Sequence, residues 1–469
     1  MRIIDFSFFN VMDFIHRPYL PGDTIVALAT PPGEGGIAII RISGNEALAI
    51  AARVCSGAVQ DYISHTAHFG YIKDLKGKKI DEALVLVMRS PHSYTGEDTV
   101  ELQCHGGHFS SQKVLEAVIQ AGARPASAGE FTFKAFMNGK MDLAQAEAVQ
   151  KVIMAKNSYA FEAAGRHLEG ALSKKIEAFQ KSLIRIAALF EAWVDFPEEG
   201  IEFAPFEEVV HEIEGLLLSM SELIDTFYEG KKVEQGISLC IAGPPNAGKS
   251  SLMNALLGEE RAIVTPIAGT TRDLLKEDLF LNGLHMRLID TAGIRETEEC
   301  IEKEGIRRSK EALQKADLAL LVLDGASNTE LSPLELEDHF PLDKTIVVWN
   351  KKDLPGYRRK LLDFPHVVEI STLEKEGLDQ LKRAIDQLIW RKGAPPQEEI
   401  ILTSLRHKEA LSQAIQRLSS VLTGLHEGVS PEFLSADVKS ALIELGRIRG
   451  SNLSEEILSS IFSQFCVGK

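Results

Sequence analysis

The sequence predicts a multidomain chain of mixed α/β and α class. An α+β domain comes first, and a helical domain follows that is split by an inserted, doubly wound α/β domain. Three observations carry this. Mid-chain, the apolar run Ser238-Leu239-Cys240-Ile241-Ala242 enters Gly243-Pro244-Pro245-Asn246-Ala247-Gly248-Lys249-Ser250, a strand running through a glycine loop into a helix. From Thr24 to about Asn138 the pattern mixes short strands and helices, and longer helical spacing takes over from Asp142. Helical spacing then returns beyond the inserted segment. The expected boundaries are an extension over 1–22, the α+β domain over 23–138, helical parts over 139–232 and 391–469, and the insertion over 233–390.

Each element has its own signal. Residues 37–42 (IAIIRI) and 82–88 (EALVLVM) read as strands, and 110–120 as a helix that stops before Gly122. Leu168, Leu172, Ile176, Phe179, Leu183, Ile186 and Phe190 step by four or three. They are expected on one stripe of a single long amphipathic helix, facing a core. A second helix is expected over 205–228, and Glu229-Gly230-Lys231-Lys232 leads into the insertion. Residues 391–399 (RKGAPPQEE) have linker composition. Beyond them come a helix over 401–425, one starting at Ser430-Pro431 with proline in the first turn, and a last one leading to Phe465.

The chemistry of the insertion follows from its loops. Gly243 to Ser250 fits G-x-x-x-x-G-K-[ST], whose backbone N–H groups cradle phosphates. Lys249 would meet the β/γ-phosphates, and the Ser250 hydroxyl would bind Mg²⁺. Asn246, Ala247, Gly248 and Ser251 complete that candidate loop. The strand Leu288-Ile289 runs into Asp290-Thr291-Ala292-Gly293, a D-x-x-G whose Asp290 would reach Mg²⁺ through water. The strand over 345–349 runs into Asn350-Lys351-Lys352-Asp353. The Asp353 carboxylate can accept both N1–H and the 2-amino group of guanine, a donor pair adenine lacks, so the expected nucleotide is GTP. Ser371-Thr372-Leu373 stands where such proteins usually carry S-A-K. Between the loop and D-x-x-G, Thr271 is the candidate that closes on Mg²⁺ and the γ-phosphate. Ile294 occupies the position where Ras-like GTPases carry a water-orienting glutamine. An aliphatic side chain cannot orient water, so another group must do so.

The 469 residues suffice for about three domains. With 45% hydrophobic and 25% charged residues, sizeable cores in a soluble protein are expected. A net charge of −16 argues against a large basic face that binds RNA or membrane unaided. Five scattered cysteines, with no C-x-x-C, indicate neither a disulfide framework nor a zinc ribbon. A reducing cytoplasm fits best. No apolar run reaches about 18 residues, so no membrane span is expected. Residues 1–22 are broken by Asp5 and Asp13 and do not read as a signal peptide. They are either an ordered extension or an upstream start. Cys104-His105-Gly106-Gly107-His108 is a poor metal site, because the glycines between ligands leave loose geometry.

The outer motifs add a resemblance. They are Thr24-Ile25-Val26-Ala27-Leu28-Ala29-Thr30-Pro31-Pro32-Gly33-Glu34-Gly35-Gly36, Ser93-Tyr94-Thr95-Gly96-Glu97-Asp98, Glu101-Leu102-Gln103-Cys104-His105-Gly106-Gly107 and Gly129-Glu130-Phe131-Thr132. Asp142-Leu143-Ala144-Gln145-Ala146-Glu147-Ala148 and the terminal Phe465-Cys466-Val467-Gly468-Lys469 complete the set. Together these closely resemble the MnmE/TrmE family of tRNA-modification GTPases, over nearly all of residues 24–469. The resemblance implies a folate-binding N-terminal domain and a potassium-stimulated, Ras-like P-loop GTPase domain. It implies a homodimer through the N-terminal domains and an FAD-dependent partner, MnmG/GidA, in a heterotetramer, with tRNA bound mainly through that partner. The implied reaction adds a carboxymethylaminomethyl- or aminomethyl-type group to C5 of the wobble uridine, with 5,10-methylene-tetrahydrofolate as the one-carbon donor and 5-formyl- or 5,10-methylene-tetrahydrofolate as the bound folate. The implied folate ligands are Arg41, Glu101, Lys140 and Lys469. The implied potassium ligands are Asn246, Thr265, Ile267 and Thr270, with Thr265 and Thr270 also beside GTP. Glu302 would orient the attacking water and Cys466 would serve the modification chemistry. A GTP-dependent switch or assembly factor that binds RNA or ribosomes without covalent chemistry is the competing reading. The folate motifs and Cys466 favour the enzyme, since a switch needs neither.

Overall fold

The structure is a computed structural model. It describes residues 21–195, 206–259, 278–281, 283–289, 313, 316–327, 340–390 and 400–469. Its contacts divide the chain into two compact units. One holds the residues up to Ile153 with His167–Val210 and Gln416–Lys469, and the other holds Met154–Arg166 and His211–Ile415.

The first unit is built on a six-stranded sheet of order β3-β4-β5-β2-β1-β6. Its strands are β1 (Ile25–Leu28), β2 (Ile37–Ser43), β3 (Thr66–Lys73), β4 (Lys79–Met88), β5 (Thr99–His105) and β6 (Arg124–Pro125). Only β1 and β6 pair in parallel. Ala38, Ile40 and Ile42 of β2 alternate onto a buried face shared with Leu102 and Cys104 of β5. Helices α1 (Ala47–Val54) and α2 (His108–Gln120) close that face with Ile50, Val54, Val114 and Val118. Burying each such side chain contributes about 1.5–3 kcal/mol, which fixes the register. Arg41 and Glu101 are therefore direct cross-strand partners on the opposite face.

Helices α3 (Glu130–Met137) and α4 (Leu143–Met154) follow in the chain. The single stripe expected from Leu168 to Phe190 is divided in the structure. Helix α5 (Ser158–Leu168) ends with Leu168, which is partly exposed, and α6 (Ala171–Asp195) carries Leu172 onward, buried through Phe190. Gly170 makes the break, with a φ of +83° that ends the helical path. Periodicity alone missed it because the spacing runs unbroken across the turn.

The second helix, expected over 205–228, is also two: α7 (Phe206–Asp225) and α8 (Phe227–Gln235). Thr226 between them donates its hydroxyl to Leu223 O at 2.7 Å and accepts Leu402 N at 3.0 Å.

The second unit contains the expected doubly wound domain. Its sheet order is β12-β11-β10-β7-β9-β8, parallel except for β8 against β9. The strands are β7 (Ile237–Ala242), β8 (Asp278–Leu281), β9 (Leu284–Ile289), β10 (Leu318–Asp324), β11 (Thr345–Asn350) and β12 (Val367–Glu369). Leu239 and Ile241 face one core, and Cys240, Leu321, Val347 and Trp349 face the other. Burial on both faces explains why these strands read as continuous apolar runs. Helices α9 (Lys249–Glu259) and α10 (Leu378–Ile389) contribute Leu252, Leu256, Leu381 and Ile385.

After residues 391–399, which lie outside the described residues, α11 (Leu405–Glu427) begins later than the expected 401. α12 (Pro431–Arg449) starts with proline in its first turn, as read. It runs antiparallel to α6, because Lys439 pairs with Glu191 while Arg449 reaches back to Glu177. α13 (Glu455–Phe462) ends three residues before the expected Phe465, which a tight turn still buries. Among the described residues no helix is long and apolar enough to cross a membrane.

Candidate functional site

The C-terminal ends of β7, β10 and β11 lie side by side, because the three strands pair in parallel. The loops leaving them therefore converge, as they do in open α/β sheets that bind ligands at strand ends. Asn246 takes a φ of +61° in the first loop, a left-handed conformation that asparagine tolerates better than most side chains. Lys249 opens α9, and its ammonium arches back to the carbonyls of Gly243 (3.0 Å) and Pro244 (2.8 Å). Ser250 and Ser251 are exposed in the first turn of that 11-residue helix. A helix N-terminus with an ammonium above it presents positive charge to phosphates.

The loop after β11 is tied to that cradle. Asn350 is buried, donates its amide to Ala247 O at 3.0 Å and accepts Thr372 N at 3.2 Å. A Cβ on Gly248 would lie 2.1 Å from the Asn350 amide nitrogen, so the loop needs glycine there. The buried Ser371 hydroxyl donates to Asp353 Oδ1 at 2.6 Å and accepts Glu374 N at 3.0 Å. Ser371 thus orients the carboxylate expected to read guanine. Lys351, at a φ of +65°, pairs with Asp324 Oδ2 at 2.7 Å. Burial pushes the Asp324 carboxyl up, but Lys351 and the Ala326 and Ser327 amides outweigh it, holding the group below the usual carboxylate range.

A second constellation lies on the outer face of the first unit's sheet. Arg41 Nε and Nη2 both reach Glu101 Oε1 at 2.9 Å, and Arg41 Nη1 donates to Gly468 O at 3.2 Å. The rings of Tyr94 and Phe131 lie 5.8 and 5.7 Å from the guanidinium carbon. The C-terminal segment is docked by a bridge between Val467 and Ala128 and by Gly129 N on Cys466 O (3.4 Å). Gly468 has a φ of +95°, and a Cβ there would lie 2.5 Å from Leu28 O. Burial and the neighbouring Arg41 charge lower the Lys469 ammonium pKa, with Glu101 and Cys466 opposing. Cys466 is exposed.

A family model described as "GTP-binding protein TrmE N-terminus" matches residues 24–140, and one described as "MnmE helical domain" matches 143–466. The chain is 56% identical over 458 residues to a tRNA modification GTPase MnmE of Protochlamydia amoebophila, covering 98% of this chain and all of that one. The chain belongs to the MnmE family of tRNA modification GTPases. MnmE proteins of Chlamydia abortus (43% identical, 96% of this chain, all of that one) and Clostridioides difficile (40%, 95% and 99%) agree. Membership in a GTPase family brings GTP as substrate and Mg²⁺ as its companion ion.

Of the site residues expected from the sequence, the structure brings together Asn246, Ala247, Gly248, Lys249, Ser250, Ser251, Asn350, Lys351 and Asp353 around converging loops. It also brings Arg41, Glu101 and Lys469 together on one domain, with Cys466 in the same docked segment. Lys140 is held differently: its ammonium donates to Pro91 O at 3.0 Å, apart from that hydrogen-bonded cluster. Thr265, Ile267, Thr270, Thr271, Asp290, Thr291, Ala292, Gly293 and Glu302 lie outside the described residues. Cys104 faces the core while His105 is exposed against Asp81, so they do not converge on a metal. Among the described residues no group of three His, Cys, Asp or Glu could hold one. Sequence reasoning passed over Tyr94, Phe131, Asp324 and the Gly468 carbonyl. The first two stood inside quoted motifs, whereas Asp324 and a backbone carbonyl gave no signal.

Proposed function

We propose that this chain is the GTP-hydrolysing subunit of a complex that adds a carboxymethylaminomethyl- or aminomethyl-type group to C5 of the wobble uridine of tRNA. The observation that carries the reading is the pairing of two distinct sites in one chain: a guanine-nucleotide site, and an Arg41–Glu101–Lys469 cluster beside an exposed thiol. A pure switch accounts for the first site and leaves the second without a purpose.

The second cluster suits a reduced folate chemically. Two of the three Arg41 guanidinium nitrogens engage Glu101 Oε1, which leaves Oε2 to accept N–H groups of a pterin. Lys469 and Arg41 suit the carboxylates of a glutamate tail. When bound, 5,10-methylene-tetrahydrofolate supplies the one-carbon unit. The chain's own part is to orient it with Arg41, Glu101, Lys140 and Lys469, and to present the Cys466 thiol.

In the GTPase domain, Lys249 neutralises phosphate charge, Ser250 and Thr271 hold Mg²⁺, and Asp353 selects guanine. Asp290, Thr291, Ala292 and Gly293 line the γ-phosphate side. Asn246 with Thr265, Ile267 and Thr270 would hold K⁺, which would supply the charge that an arginine finger supplies elsewhere. Glu302 orients the water in place of the glutamine replaced by Ile294. The reading includes a cytoplasmic homodimer through the N-terminal domains, and an FAD-dependent MnmG/GidA partner completing a heterotetramer on tRNA. The boundaries 1–22, 23–138, 139–232, 233–390 and 391–469 belong to the same reading.

Mass analysis of wobble uridine in tRNA from a deletion strain tests it. The aminomethyl-type modification is expected to vanish and to return with the intact gene. Unchanged nucleosides would refute it. Folate binding by the purified protein separates the enzyme from the switch.

A further inference from the structure

We propose that Asp324 is a positioning residue of the nucleotide site, holding Lys351 in place before GTP or GDP arrives. The inference rests on the assignment of Lys351 to that site. Asp324 ends β10 and stands in register with Asn350, the last residue of β11. Its carboxylate is anchored independently of the lysine, because Oδ1 accepts Ala326 N at 2.9 Å. The turn behind it is fixed as well: Gly325 N donates to Asn350 O at 3.0 Å, and Arg358 N to Gly325 O at 2.8 Å. That leaves Oδ2 facing the Lys351 ammonium at 2.7 Å, with both side chains less than a third exposed.

Lys351 needs such an anchor. It is the second residue of N-K-x-D, between a buried Asn350 and the Asp353 that Ser371 orients. Its left-handed φ of +65° strains the backbone where the chain leaves the strand. Its side chain has four rotatable bonds, and a free lysine carries about 2 kcal/mol of rotamer entropy. A stem already fixed by Asp324 loses little more freedom when a nucleotide packs on it. The benefit is the same for GDP and GTP, because it lies at the base end and does not touch the γ-phosphate. An ordinary surface ion pair predicts no effect on either nucleotide.

The test uses the full-length protein with Asp324→Asn, Lys351→Met and the double variant. Asparagine keeps an acceptor for Ala326 N, so the turn survives while the ion pair is lost. Equilibrium titration with GDP and a non-hydrolysable GTP analogue is expected to show about tenfold weaker binding of both for Asp324→Asn. Saturating GTP is expected to restore kcat to within about twofold, which places the defect in KM. On the Lys351→Met background, Asp324→Asn is expected to add little, since its action runs through the lysine. Native affinity in Asp324→Asn, additive losses in the double variant, or a loss confined to kcat would each overturn the inference. Native affinity in Lys351→Met would overturn the assignment of Lys351 itself.

Discussion

Replacing Asp353 by asparagine is expected to exchange the protein's guanine preference for xanthine, and the structure says why the new amide points the right way. Ser371 is fully buried, its hydroxyl donates to Asp353 Oδ1 at 2.6 Å, and Glu374 N holds the serine from behind. With the serine committed as a donor, an asparagine at 353 must turn its oxygen toward Ser371 and its NH₂ toward the base. That NH₂ faces the N1–H and 2-amino group of guanine, donor against donor. Two charge-assisted hydrogen bonds at about 1.5–3 kcal/mol each are lost, or about 3–6 kcal/mol together. At 1.4 kcal/mol per factor of ten, GDP should bind about 10²–10⁴-fold more weakly. Xanthine carries a carbonyl at C2 and accepts the new donor, so xanthosine diphosphate should gain affinity. Competition titration against a fluorescent nucleotide measures both. Adding Ser371→Ala to Asp353→Asn should erode the xanthine preference, because the amide is then free to flip. GDP affinity within tenfold of native in Asp353→Asn, or a xanthine preference untouched by Ser371→Ala, would refute the reasoning.

Three further outcomes are expected. GTP hydrolysis should run faster in K⁺ than in Na⁺ at equal ionic strength, and Asn246→Ala should erase the difference, at a cost of at most about 10³-fold; equal rates in the two salts for the native protein would remove the potassium site. Cys466→Ser should leave GTP hydrolysis near native while wobble-uridine modification collapses; normal nucleoside levels in a complemented deletion strain would show the thiol to be dispensable. Lys469 gives a pH signature: burial beside Arg41 lowers its pKa, so the unfolded chain binds more protons there, and the docked tail gains stability as pH rises through the lowered value toward that of free lysine. An anionic folate should draw the proton back. Calorimetry in alkaline buffers of different ionisation enthalpy should therefore show proton uptake that Lys469→Met abolishes, and identical heats in all buffers would count against the contact.

How far the sequence could be read depended on whether the signal was local. The strands over 237–242 and 345–350 were legible because burial on both faces demands uninterrupted apolar runs, and the glycine loop because its backbone needs specific residues. The break at Gly170 was not, since Leu168 and Leu172 keep helical spacing across it and only the backbone conformation reveals the turn. In the first unit, Arg41 and Glu101 could be named only through family motifs. They are 60 residues apart and meet because β2 and β5 pair in one register. The Arg41 contact with Gly468 spans 427 residues and uses a backbone carbonyl, for which no side chain leaves a trace. Lys140 too could be named only through family motifs, and its ammonium donates to Pro91 O.

The nucleotide motifs, read as separate signals in sequence, form one mechanical piece. Asn350 spends its NH₂ on Ala247 O in the phosphate loop and its oxygen on Thr372 N in the loop beside Asp353. Gly248 is glycine because that same NH₂ occupies the space a side chain would need. An amide is required, since aspartate at 350 would set a carboxylate against Ala247 O and leave a buried charge with one partner. Phosphate cradle and base-reading loop therefore cannot shift independently without breaking a buried hydrogen bond. On the proposed roles of Asp353 and Lys249, base selection and phosphate geometry are then properties of a single edge of the sheet.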